Sequence, residues 1–452
     1  MNAIDSLLDH VLSINYDALP PEAVEASKIF VLDSIGVGIS GSRHPLIDQV
    51  KRAAAEWGEG RQARVWNTGE WMPAGSAVLL NAYQVHNQEF DCLHDQAVVH
   101  APATILPVLL AQAERMGGCS GKDLIAAFVA GVDVASFIGM SQGAPMRFFR
   151  PAMCGALGAA AAIATLVKAD REQMRNVLGI TYSHLSGTMQ AHIEGSPTLA
   201  LQVGLNARAV FAAFDLAAQG IAGPKDILEG PYGYFALFDG QADWKNGSVE
   251  LGRVFQATRL SHKPFPSGRA THGGIDGVQR LQARHGFAAA DVASIRVATT
   301  PLIRDLVGRP IRPDMEVGYA KLCMGYVVAT ALLTGTVGIT DFEADKRADP
   351  ERLELGARVQ VVPNDVTDPN ALVPQSVEVS LRDGRVFSIE LAAVLGHPDR
   401  PLERDARLQK FEACCASARV PLDTAQVMEL IAALEQLDQL EDARRLVDLA
   451  IA

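Results

Sequence analysis

Three histidines and three carboxylates fall within the fifteen residues from His86 to His100: His86, His94 and His100 with Glu89, Asp91 and Asp95. Histidine changes charge near neutral pH, so an imidazole held beside a carboxylate suits general acid–base work, and His100 is the leading candidate for it. Glu89 and Asp91 would point to different sides of an extended segment and to different faces of a helix. One of the pair is therefore expected to face a substrate while the other orients a histidine or a backbone amide, and Glu89 is placed in the first role. The flanking stretches, Ala77 to Tyr83 and Ile105 to Ala113, are apolar and read as helix. Charged groups at such a break must be paired, solvated in a cavity or used in chemistry. An ion-paired surface loop is the plain alternative. Cys92 lies in the same run, where a small buried thiol is a simpler reading than a nucleophile.

Two further segments carry chemistry-bearing residues. Arg150 follows Phe148-Phe149 and precedes Pro151 at a helix start, where guanidinium and backbone amides together suit a carboxylate; pairing with an acidic residue is the structural alternative. Lys263 sits in His262-Lys263-Pro264-Phe265-Pro266-Ser267-Gly268-Arg269, a loop stiffened by its prolines. Gly36-Val37-Gly38 does not match a dinucleotide fingerprint, because the surrounding pattern is helical with no preceding strand.

A chain of 452 residues is too long for one simple core, and 48% hydrophobic with 20% charged residues is an ordinary globular balance. The formal net charge of −12 and the lack of any Lys/Arg-rich run argue against nucleic acid as a partner. An anionic substrate would then need a local concentration of Arg, Lys and His. No CxxC pair occurs among the six cysteines and no secretory leader is read at the start, so a cytoplasmic protein with reduced thiols is expected. No apolar run approaches the roughly 18 residues of a membrane span, the longest being Cys154 to Val167.

Helical periodicity dominates the first half, with candidate helices over Thr104–Met116, Gly121–Gly139, Cys154–Leu166, Arg171–Ser183 and Leu201–Gln219. Near residue 255 the pattern changes. Val292 to Thr300, Ala357 to Pro363 and Ser376 to Leu381 alternate like strands, and Asp383-Gly384 marks a hairpin turn into a strand from Arg385 to Leu391. The expected architecture is mainly α: an all-helical domain from residues 1–257 and 394–452, and an inserted α+β lid over 258–393 built on a small antiparallel sheet.

The segments HNQEFDCLHD…VVHAPA, RFFRPAMCGALGAAAAIATL, HKPFPSGRATHGGID and YAKLCMGYVVATALLTG, in that order, resemble the MmgE/PrpD family. Its members include 2-methylcitrate dehydratase, cis-aconitate decarboxylase and iminodisuccinate epimerase. The resemblance implies a helical domain with a smaller lid, usually in a homodimer, the site lying between the two parts. It also implies small di- or tricarboxylate substrates, proton abstraction next to a carboxylate, and no metal or organic cofactor. It gives catalytic roles to His100, Lys263, Glu89 and Asp91, and substrate binding to His94, Arg150, Arg269 and His272. The chain departs from the family's pattern at Cys92 and Leu93, which replace an aspartate and a threonine. Arg150 and Gln202 replace histidines, and Leu199 replaces a lysine; His192 and Glu194 are candidates to stand in for that lysine. The expected function is a dehydratase-like lyase, with an epimerase using the same proton abstraction, or an inactive binding protein, as alternatives.

Overall fold

The computed structural model describes residues 2–452, of which the chain divides into two compact units. The first comprises residues 2–188, 200–260 and 403–452; the second comprises Met189–Leu199 and Ser261–Leu402. Helix accounts for 56% of the chain and the sheets have only two to four strands, so the fold is mainly α with a smaller α+β part, as expected.

In the first unit the helix Gly121–Met140 packs against Arg150–Leu166 and Ala101–Met116. Local chemistry sets their limits. Ser120 accepts the Asp123 amide at one start, and Gly117, at φ 87°, ends Ala101–Met116 in a left-handed cap that a side chain would strain. Small residues let the central helices approach closely. A Cβ on Gly158 would lie 2.4 Å from the Gly131 carbonyl oxygen and 2.9 Å from Ala135 Cβ. Alanine normally favours a helix interior over glycine by about 1 kcal/mol. Here overpacking against backbone outweighs that gain, and Gly158→Ala is expected to destabilise the protein by about 1–3 kcal/mol in urea unfolding. Unchanged or raised stability would show that the crossing has slack.

The run-length reading of membrane spans needs correction. Gly121–Met140 and Thr198–Ala218 are long and apolar enough to cross a membrane by length and composition. Lys122, Asp123 and Asp133 in the first, and Arg208 and Asp215 in the second, interrupt the runs and hid them. The apolar window of Gly121–Met140 is 89% buried within the protein, as in a core helix.

The second unit is built on a four-stranded sheet in the order Val359–Pro363, Val292–Thr299, Gln375–Leu381, Val386–Leu391. Burial alternates along Gln375–Leu381, and Gly384, at φ 91°, forms the tight turn into the last strand. The helix His272–His285 lies on the sheet with Gly277 against Val377, while Gly274 faces Met324 and Val328 of the helix Met324–Thr334. One detail differs from expectation: the sheet is mixed, because Val292–Thr299 pairs in parallel with Val359–Pro363. The intervening helices, including Met324–Thr334 and Pro350–Gly356, supply the long crossover that a parallel pair requires.

Candidate active site

The acid/base cluster assembles at two helix ends in the first unit. His86 is the last residue of the helix Ala74–His86, and His100 is the residue before Ala101–Met116. Between them the chain turns at Glu89, φ 52°, and again at Val98, φ 52°. A positive φ is uncommon for any side-chain residue and strained for a β-branched one, so the loop is held in shape by its surroundings. Asp91, fully buried, ends up between the histidines. Nδ1–H of His86 donates to Asp91 Oδ2 at 2.9 Å, and Nδ1–H of His100 donates to the same oxygen at 3.0 Å. A carboxylate only accepts, which assigns the proton to Nδ1 on both rings and leaves each Nε2 as the position that changes protonation. The rings meet edge to face at 4.9 Å, and Phe149 packs 5.8 Å from His86.

The three members differ in access. The side chains of His86 and Asp91 are 1% exposed, whereas that of His100 is 11% exposed. His100 is therefore the most accessible of the three, with its Nδ1–H held by Asp91. His86, which sequence reasoning left without a role, shares that carboxylate; its place five residues before Asp91 at a helix end was the available signal. Glu89 is half-buried. One donor atom from each of His86, Asp91 and His100 lies within 4.8 Å of the other two, close enough for a single metal ion as well as for proton sharing.

His94, expected among the substrate-binding groups, has both ring nitrogens engaged within the protein. Nδ1 accepts from the Ala97 amide at 3.1 Å, which places the proton on Nε2, and Nε2–H donates to Gln256 Oε1 at 3.0 Å. Gln256 is tied in turn to the core, its amide donating to Asp133 Oδ1 at 2.6 Å while His10 donates to Asp133 Oδ2 at 2.8 Å. Arg150 is 2% exposed and its Nη1 donates to the Ala97 carbonyl at 3.3 Å, so His94 and Arg150 brace one turn from its two sides.

Burial holds the His94 pKa below its usual value, with the Gln256 hydrogen bond partly offsetting it. The unfolded chain therefore takes up a proton near pH 6.5 that the folded protein refuses. Stability should be full above that pH and fall as the pH drops from 6.5 toward the lowered folded value. Subtracting the unfolding profile of His94→Gln from that of the wild type should leave this acid-side slope; a flat difference would mean that His94 is not held neutral.

In the second unit Lys263 is fully buried and Arg269 is 5% exposed. Arg269 Nη1 donates to the carbonyls of His262, at 3.2 Å, and Leu395, at 2.8 Å, tying the start of the Lys263 loop to the Leu395 segment. His272 Nε2–H donates to the Ser267 carbonyl at 3.2 Å and its ring meets Phe265 edge-on at 5.3 Å. Both residues thus shape the loop that carries Lys263. The Lys321 carbonyl receives the Gly268 amide at 3.0 Å, and its buried ammonium lies 5.2 Å from the Phe342 ring centroid. This second buried lysine was missed, although a lysine inside the apolar YAKLCMGYVV run was visible. His192 is buried and accepts from Arg309 at 3.2 Å, while Glu194 is exposed and bonded to Gln190.

The thiols are poor nucleophiles. Burial, reinforced by the charges of Asp33 and Asp91, pushes the Cys92 pKa well above its usual value.

Comparison with known proteins agrees with this architecture. Residues 5–246 match the MmgE/PrpD N-terminal domain and residues 265–436 the MmgE/PrpD C-terminal domain. The chain belongs to the MmgE/PrpD family. It is 28% identical to the cis-aconitate decarboxylase of Mus musculus, covering 96% of this chain and 90% of that protein. It is 27% identical to the Homo sapiens protein of the same name, over 97% and 92%, and 24% identical to that of Aspergillus terreus, over 96% and 92%. The protein is thus an enzyme of the MmgE/PrpD type, at low identity to these relatives. Cys92 is a buried thiol next to Asp91, and Asp91 is the carboxylate between the two imidazoles.

Proposed function

We propose that this protein is a lyase that decarboxylates a small tricarboxylate of the cis-aconitate type. The observation that carries the reading is the Asp91 oxygen shared by His86 and His100, a proton-delivering pair of which one ring is accessible. The names of the relatives move the expected bond cleavage from C–O, as in a dehydratase, to C–C. In this reaction the bond from the methylene carbon to its carboxylate breaks and CO2 leaves. The electron pair forms a new double bond as the old one shifts, and the far alkene carbon takes a proton from the His100 imidazolium. Water reprotonates the imidazole, so each turnover consumes one proton. His100 acts as general acid, Asp91 keeps its tautomer and orientation, and Lys263 and Arg150 are proposed to bind substrate carboxylates.

A second reading is dehydration of a hydroxy tricarboxylate or epimerisation, both starting from proton abstraction next to a carboxylate, for which the partly accessible His100 imidazole could serve as the base. Incubation in D2O separates the three. Decarboxylation of cis-aconitate releases CO2 and places deuterium on carbon. Dehydration of a hydroxy acid raises ultraviolet absorbance with no net proton uptake. Epimerisation exchanges deuterium with no net loss. Silence in all three, with ligand binding retained, would replace the enzymatic reading by that of a binding protein.

The protein is also proposed to act as a homodimer. The helix Thr198–Ala218 carries Leu205, Ala209, Ala212 and Leu216 at alternating spacings of four, three and four, with Leu205 40% and Leu216 42% exposed. Light scattering should give twice the chain mass for the wild type and the single mass for Leu205→Glu/Leu216→Glu; a monomeric wild type would sink the idea.

A further inference from the structure

The peptide that carries Asp91 is gripped by a residue 320 positions further along the chain: Lys410 Nζ donates to the Phe90 carbonyl at 2.8 Å. The same ammonium donates to Asp33 Oδ1 at 2.6 Å and lies 4.1 Å from the centre of the Phe90 ring. Lys410 belongs to the helix Arg404–Ala416, and Asp33 to the middle of Pro21–Gly41. These helices meet closely, since a Cβ on Gly36 would lie 2.6 Å from the Phe411 ring, and that approach brings Lys410 into reach. The backbone N–H of Cys92 faces Asp33 and favours its ionised form. The ion pair therefore contacts the peptide groups on both sides of Asp91, the carbonyl of residue 90 and the amide of residue 92. Its two side chains are only 6% and 3% exposed.

A buried ion pair is weak evidence for stability, because desolvation cancels much of the attraction. This one has a second consequence. Burial pushes the Asp33 carboxyl up, Lys410 pulls it back, and the charge of Asp91 adds to the rise, so the ion pair is electrostatically coupled to Asp91. Glu89, at φ 52°, makes the adjoining backbone depend on such outside contacts.

We propose that Asp33 and Lys410 are positioning residues for the acid/base group, holding the Phe90–Cys92 backbone so that one oxygen of Asp91 stays within hydrogen-bond reach of both His86 and His100. The proposal rests on reading that group as the proton-transfer centre.

Lys410→Met alone strands a buried carboxylate and tests mainly folding. The informative variant is Asp33→Asn/Lys410→Met, which removes both charges at similar volume and is expected to melt within a few degrees of the wild type. Its readouts are the imidazole signals of histidine-selectively ¹⁵N-labelled protein, assigned with His86→Gln and His100→Gln, and the steady-state constants for cis-aconitate. The expected result is shifted and broadened His86 and His100 signals, with kcat lower by about 100-fold and KM within about threefold. Lys410→Arg, which keeps a donor for the Phe90 carbonyl, should recover part of both. Wild-type imidazole signals in the stable double variant would overturn the proposal. A wild-type protein that leaves cis-aconitate untouched would instead count against the lyase reading, and the imidazole spectra would still decide the positioning role.

Discussion

Asp91→Asn is expected to lower kcat by about 10³–10⁴-fold with little change in melting temperature. Both imidazoles donate to one oxygen of Asp91, at 2.9 and 3.0 Å; a carboxamide oxygen could still accept from both, but it is neutral and no longer favours an imidazolium beside it. Wherever the amide presents its NH2 to the rings instead, at least one imidazole must change tautomer or turn away. A histidine held in the wrong tautomer costs about 10⁴-fold in other acid/base sites, close to 5 kcal/mol of transition-state stabilisation. His100→Gln should cost about 10²–10⁴-fold, the usual worth of a general acid or base. His86→Gln should cost less, because His86 is closed to ligand and acts through the shared carboxylate. Steady-state kinetics of the three variants on cis-aconitate test the order. Turnover of Asp91→Asn within about threefold of the wild type would remove Asp91 from the mechanism.

The second large effect is on stability and concerns a different buried aspartate. Asp133→Ala should destabilise the protein by about 3–5 kcal/mol, the usual cost of breaking a buried charged pair from one side. Asp133 is fully buried and accepts from both His10 and the Gln256 amide, tying the helices Ala3–Ser13 and Gly121–Met140 to the segment that holds His94. Burial pushes its carboxyl up, and His10 and the Gln256 backbone N–H pull it part of the way back down. The folded fraction of Asp133→Ala should keep its kcat, because the variant leaves the Asp91 group intact. Chemical unfolding at pH 7 reads the loss, and a shift of the unfolding free energy below about 1 kcal/mol would show that the His10 contact contributes little. Two buried aspartates, each bonded to histidine, are thus expected to fail in opposite ways: one in rate, the other in stability.

Several basic residues are deeply buried in a chain of net charge −12. Arg150 is nearly fully buried at the start of its helix, and two fully or nearly fully buried lysines, Lys263 and Lys321, sit in the second unit. A buried ammonium loses its hydration and is retained only where neighbouring groups replace it. Arg269 and His272, expected as substrate contacts, donate to the carbonyls of His262, Leu395 and Ser267 around Lys263.

Much of this was legible in the chain itself. The helical periodicity, the strand alternation after residue 255 and the Asp383-Gly384 turn all depend on neighbours a few residues apart, and such patterns survive without knowledge of the fold. The density of histidine and carboxylate between His86 and His100, and four segments in family order, pointed to the chemistry. What the chain did not disclose were long-range pairings and local exceptions to periodicity. The roles of Glu89 and Asp91 were argued from strand and helix geometry, and the left-handed backbone at Glu89 follows neither. His94 was judged by residue type, yet its ring is used up by Ala97, a neighbour, and by Gln256, 162 residues away. The parallel strand pair, the His10–Asp133 contact and the grip of Lys410 on the Phe90 carbonyl likewise join residues far apart in sequence. Local sequence determined which elements form and which residue types reach the break between helices. Only tertiary packing decided which carboxylate the histidines share, because that choice depends on desolvation and hydrogen-bond satisfaction among groups the chain order does not bring together.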